Sequence, residues 1–300
     1  MTQIRTPELV NTKAETLFRQ QVRGGIQVAN QAHPYLATRG FYGSIDTITQ
    51  MNIPDLAKAT AALLLAIPNL ARMVASNGGD VSICSTMHTA MGTLMDSSYQ
   101  TSITKNNVLS MCMDFNKQQN ICTGEAIKNL EEQLLADLAG VWHEHSWENL
   151  LIAADINVER ANRGEDLAGT DLWLQLLDAQ KWVSVDIKAR PETILRHAHK
   201  KGYEITDDYT FDAHGVTAQD FELYIAASTE HRTAYLSFNN PPGSDGLAPI
   251  DFRGNHNAIV ASRDIFATLQ YCEDSGLIKP YRQLETTDGT HYVPFDRRIN

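Results

Sequence analysis

Apolar residues recur every three or four positions over residues 7–29, at Leu9, Val10, Leu17, Phe18, Val22 and Ile26, and predict a helix that Gly24-Gly25 interrupts or ends. Residues 33–43 read as an aromatic-rich loop opened by His33-Pro34. Helical spacing returns over 46–50 and 53–75, broken near Pro68 and closed by Asn77-Gly78-Gly79. Residues 81–113, rich in Met, Ser and Thr, predict further helix. An amphipathic helix begins near Thr123 and runs through Leu130, Leu134, Leu135, Leu138 and Val141. Beyond it the pattern shortens. Residues 147–158 read as a first strand, 222–227 and 234–238 as two more, 258–274 as a helix and the last twenty residues as an irregular tail.

The chain has 300 residues, 43% hydrophobic and 20% charged, enough for one large or two ordinary domains with a real core. That composition excludes a disordered chain. The N-terminal stretch is polar and lacks the apolar segment of a signal peptide, and the most apolar segment, residues 56–74, carries Lys58, Pro68 and Arg72. A buried helix pair, no membrane span and a cytoplasmic setting are therefore expected. Cys84, Cys112, Cys122 and Cys272 lack metal-ligand spacing, so reduced thiols are expected and an iron–sulfur cluster fits poorly. The net charge is −11, split as +2 over residues 1–120 and −13 over 121–300, which weighs against tight binding to phosphate backbones.

The chemistry concentrates in residues 169–190. Two short runs, Leu172-Trp173-Leu174 and Trp182-Val183 with Val185, flank the polar turn Asp178-Ala179-Gln180 and predict a β-hairpin. Asp171 opens the first strand, and Asp186-Ile187-Lys188 closes the second. Alternate strand residues share a face, so Asp186 and Lys188 point one way and Ile187 points into the core. Pairing across the turn would bring Asp171 beside Asp186. Two carboxylates that close need a cation between them, or one must stay protonated. A hard, oxygen-liganded ion such as Mg²⁺ suits them, with Lys188 placed to help position and deprotonate a water.

These residues resemble the PD-(D/E)xK nuclease superfamily, over roughly residues 123–238. Asp171 matches the first acid, Asp186 the second and Lys188 the lysine, with fourteen residues between the two acids. Gly169-Thr170 stands where the motif's name puts proline. The resemblance implies an α/β fold (α+β by strict accounting), a restriction-endonuclease-like mixed sheet flanked by helices. It implies a catalytic domain over 121–300 behind a helical region, 1–120, serving DNA recognition or dimerisation. It further implies Mg²⁺-dependent hydrolysis of DNA phosphodiesters, with Mn²⁺ as substitute and with Asp171, Asp186 and the Ile187 carbonyl as ligands. A type II restriction endonuclease, acting as a homodimer, is the commonest protein of this description. In that family a helix ahead of the sheet often donates a glutamate. Glu125 is the candidate and Glu132 the runner-up, while Glu159 and Glu165, flanking the loop before Asp171, stay open.

Arg190, Arg196, Lys200 and Lys201 follow the catalytic strand and are expected to form a local basic strip on DNA. Two histidine pairs, His143/His145 and His197/His199, lack the partners a zinc site needs and read as surface histidines. Two other readings stay open: a nucleic-acid-binding or structural protein that keeps the fold without the chemistry, and an RNA- or structure-specific nuclease.

Overall fold

A computed structural model describes residues 11–76, 81–162, 164–165, 169–188, 210–213, 222–227, 233–239, 245–274, 276, 278–286 and 289–294. The chain forms two compact units, Met1–Trp142 with Asp245–Pro249, and His143–Ser244 with Ile250–Asn300. The division falls inside a helix, whereas the sequence pattern put it at residue 120.

The first unit is helical: α1 (Thr12–Ala32), a 3-10 turn (His33–Tyr35), α2 (Leu36–Thr49), α3 (Asp55–Ser76), α4 (Val81–Asp96), α5 (Lys105–Gln119) and the start of α6 (Glu125–Ala153). The Asn11 side chain caps α1 by accepting from the amides of Lys13 and Ala14 at 3.1 and 3.2 Å. Gly24-Gly25 does not break α1. Gly25 is buried against α3, and a Cβ there would lie 2.5 Å from the Ala57 carbonyl oxygen, so the glycine permits a close helix crossing. The expected loop over 33–43 is instead helical, because Pro34 sits in the first turn of the 3-10 segment and α2 absorbs its irregularity as a kink at Gly40 (φ 69°). α3 likewise runs through Pro68. It is long and apolar enough to cross a membrane by composition, yet Leu63, Leu64, Leu65, Ile67 and Leu70 are buried within the unit, between α1 and α4. Each such side chain stabilises the fold by about 1.5–3 kcal/mol.

The second unit holds the end of α6, one mixed sheet and α7 (His256–Asp274). Its strands are β1 (Val158–Arg160), β2 (Leu172–Gln175), β3 (Lys181–Lys188), β4 (Thr210–Ala213), β5 (Glu222–Ala227), β6 (Thr233–Asn239), β7 (Tyr281–Thr286) and β8 (Gly289–Pro294). They follow the order β1-β2-β3-β6-β5-β4, with β7 pairing to the start of β3 and β8 to β7. Only β3–β6 is parallel among the described pairings. This is an α+β architecture, as the coarse class reading had it. Leu172 and Leu174 on β2, with Val183, Val185 and Ile187 on β3, face one core with Trp147, Leu150 and Leu151 of α6 and Ile265 and Leu269 of α7. Trp173 and Trp182 face the other side, where Tyr292 of β8 stacks on Trp173 at 4.0 Å and meets Trp182 edge-on.

Two expectations are corrected here. Residues 147–158 are not a strand: α6 continues to Ala153, because buried Leu138, Trp142, Ser146 and Leu150 keep the four-residue step going. The helix ends only where Asp155 turns left-handed (φ 67°) and the Ile156 amide donates back to the Leu151 carbonyl at 3.0 Å. Of the last twenty residues, 281–286 and 289–294 are not a tail but the paired strands β7 and β8, held by the aromatic stack on Trp173, and the rest lie outside the described residues.

Candidate active site

β2 and β3 pair antiparallel with Leu172 opposite Val185 and Leu174 opposite Val183. That register carries Asp171 to the level of Asp186. The Asp171 amide donates to the Val185 carbonyl at 2.8 Å, and its Oδ2 accepts from the Ile187 amide at 2.6 Å. The aspartate is thus clamped across the end of the hairpin by main-chain groups at both ends. Just before it, Thr170 Oγ1 and Ser184 Oγ share a hydrogen bond of 2.9 Å in the sheet interior.

Asp186 is 1% exposed, and Lys188, two residues on, forms an ion pair with it through Nζ and Oδ1. Ile187 between them is buried in the core. The alternation expected from the sequence therefore puts Asp186 and Lys188 on one face and Ile187 on the other. Lys188 keeps part of its side chain in solvent, so the amine spans the buried acid and the surface.

The Asp171 carboxyl is held well above its ordinary range. Desolvation is the main cause, followed by the charges of Glu144 and Asp186, while Lys188 and the Ile187 amide pull the other way. Three carboxylates and one amine thus share this end of the sheet. Glu144, on α6, was not singled out from the sequence as an acid. It lay inside the His143-Glu144-His145 triplet, and the helix was expected to stop before it. The apolar step from Leu134 and Leu138 through Trp142 to Ser146 and Leu150 is the signal that would have extended the helix over it.

The other candidate glutamates lie elsewhere. Glu125 is an exposed residue at the start of α6, about five turns before Glu144. Glu132 is exposed and pairs with Lys128 at 3.6 Å. Glu159 accepts from Tyr292 Oη and from Gln283 at 3.2 Å, and Glu165 accepts from the Asn162 amide at 2.7 Å. His143 and His145 are buried, not on the surface. His145 lies against the guanidinium of Arg160 at 2.9 and 3.0 Å, and Glu148 ties the same guanidinium. Arg190, Arg196, Lys200, Lys201, His197 and His199 lie outside the described residues.

Among the described residues no three His, Cys, Asp or Glu side chains form a ready ligand group for a metal ion. The chemistry of Asp171 and Asp186 nevertheless suits Mg²⁺, an ion that uses one or two carboxylates and keeps several waters. A divalent cation would also relieve the part of that rise that comes, after desolvation, from the charges of Glu144 and Asp186. All four cysteines are free thiols, and burial pushes Cys112 up to about 12. No protein-family model, no curated protein and no solved structure matches this chain.

Proposed function

We propose that this protein is a metal-dependent endonuclease of the restriction-endonuclease-like fold, hydrolysing DNA phosphodiester bonds. One observation carries the reading: the β2–β3 register sets Asp171 against Asp186, with Lys188 ion-paired to Asp186 and the charge of Glu144 acting on Asp171. In this reading Asp171 and Asp186 hold Mg²⁺. The Ile187 carbonyl joins them, since a strand residue's C=O and N–H project to the same side and its N–H already meets Asp171. When bound, the ion supplies positive charge to the phosphoryl oxygens and acidifies water.

The chain's own residues do the rest. The Ile187 amide fixes the Asp171 carboxylate. Lys188 brings an ammonium beside the attacking water and the non-bridging phosphate oxygens, where fixed charge is worth most in a desolvated site. Glu144 is the helix acid of the site, in place of Glu125. A type II arrangement, with two copies cutting a two-fold symmetric site, follows from the family resemblance.

The test is conversion of supercoiled plasmid to nicked and linear forms in Mg²⁺. Cleavage should be lost in Asp186→Asn and Lys188→Ala and reduced in Glu144→Gln, with far-UV circular dichroism unchanged. Absence of cleavage by the unaltered protein on duplex DNA, single strands and RNA would replace the enzyme by a binding protein of the same fold.

A further inference from the structure

Helix α1 presents a largely polar face that the described residues of the first unit leave uncovered. Phe18, Gly25 and Ala29 turn inward, whereas Lys13, Thr16, Leu17, Gln20, Arg23, Gln27 and Gln31 fall on one exposed stripe at three- and four-residue steps. Among the described residues neither Lys13 nor Arg23 has an ion-pair partner, and the side-chain amides of Gln20, Gln27 and Gln31 have no hydrogen-bond partner. The helix carries one carboxylate, Glu15, and it is turned away from the stripe. Ser102 and Arg19 engage it and hold it down at about 2. A face with cations and amides and no acid is unusual on a chain of net charge −11.

Gly24 sits in the middle of this stripe, and none of the described residues requires a glycine there. Unlike Gly25, whose added Cβ would strike α3, a Cβ at Gly24 would meet nothing within 4 Å. A glycine inside a helix weakens it, and here it leaves room for close approach by something outside the fold. The adjoining groove of about 410 Å³, between α1 and the segment Ile53-Pro54 that leads into α3, opens over Gly24 and is flanked by Gln20 and Gln27.

We infer that α1 is a recognition helix for duplex DNA: Lys13 and Arg23 on phosphates, Gln20, Gln27 and Gln31 on base edges, and Gly24 allowing close entry. Glutamine reads adenine through paired hydrogen bonds, and the B-form major groove admits a helix of this kind, whereas the major groove of duplex RNA does not. A second copy of the chain fits less well. A two-fold contact sets a patch against itself, so Lys13 and Arg23 would meet like charges with no acid to answer them. The inference does not depend on the endonuclease reading.

The test is fluorescence anisotropy of the full chain with a random-sequence 30-base-pair duplex (a length chosen to exceed the helix span of about 31 Å), in EDTA so that cleavage plays no part. Lys13→Ala/Arg23→Ala should flatten the slope of log affinity against log salt by about two. Gly24→Leu should keep or raise the melting temperature and weaken binding about tenfold or more, because its side chain points into the space the DNA would occupy. Gln20→Ala/Gln27→Ala should change the ranking of sequences selected from a random pool. Unchanged binding in the first two variants, no DNA binding by the parent, or a fall in sedimented mass as the main effect of Gly24→Leu would overturn the inference. A parent that binds DNA through α1 but never cuts would sink only the endonuclease reading.

Discussion

Replacing Asp171 with Asn removes one negative charge from a desolvated site that also feels Glu144 and Asp186, and leaves the volume almost unchanged. The Asn side-chain oxygen still accepts from the Ile187 amide, so the hydrogen bond at 2.6 Å has a like-for-like acceptor. Each tenfold by which folding tightens the hold of this carboxyl on its proton costs the ionised parent about 1.4 kcal/mol, a cost the neutral amide does not carry. Lys188 and the Ile187 amide offset part of that cost, so the variant is expected to melt above the parent, by about 2–4 °C for every 1 kcal/mol in a unit of this size. The pH dependence follows from the raised carboxyl. Below its ordinary value of 3.8 the group is protonated in folded and unfolded chains alike, and parent and variant should melt together. As pH rises toward the raised folded value, the unfolded chain ionises first and the parent loses stability. The gap should therefore open with pH and be complete above the folded value. Mg²⁺ should close it from the other side, raising the parent by about 2.7 kcal/mol at one hundred times its dissociation constant and leaving the variant little changed. Scanning calorimetry from pH 4 to 8, in EDTA and in Mg²⁺, reads all of this. An Asn variant that melts below the parent at pH 8 in EDTA, or equal stabilisation of both by Mg²⁺, would refute the reasoning.

Two further outcomes test the packing. Gly25→Ala forces a methyl to within 2.5 Å of the Ala57 carbonyl oxygen and the Thr60 Cβ, and should lower stability by about 1–3 kcal/mol in urea unfolding. Lys181→Met takes the ammonium 3.2 Å from Glu273, which is 1% exposed, and should lower stability by about 3–5 kcal/mol, with Lys181→Met/Glu273→Met recovering much of it in the same assay.

The hairpin at the site was legible because its information is local. A two-residue alternation around Asp178-Ala179-Gln180 fixes which side chains share a face, and the short turn fixes the register that sets Asp171 against Asp186. Strands β5 and β6 and helix α7 were read for the same reason. Glu144 was not legible as an acid of the site, because its role depends on α6 running on past the His-Glu-His triplet and on the fold that returns Asp171 to it. The β7–β8 hairpin depends on partners far away in sequence: Tyr281 and Tyr292 pack on Trp173, Tyr281 pairs with Trp182, and Tyr292 also reaches Glu159. Gly24-Gly25 misled in the same way. A glycine pair reads as a stop until the neighbouring helix shows that one member is there to let it come close.

β3 is bound on both edges, by β2 on one side and by β7 and then β6 in succession on the other, and it is buried from Trp182 to Ile187. Its side chains alternate between an oily layer and the acids, so loss of one residue from the bend at 178–180 would not merely shift Asp186 along the sheet. It would send the carboxylate under the helices and bring a hydrophobe out in its place. Length in that bend is consequently as tightly constrained as the identity of the acids, and natural variation in it should come in steps of two.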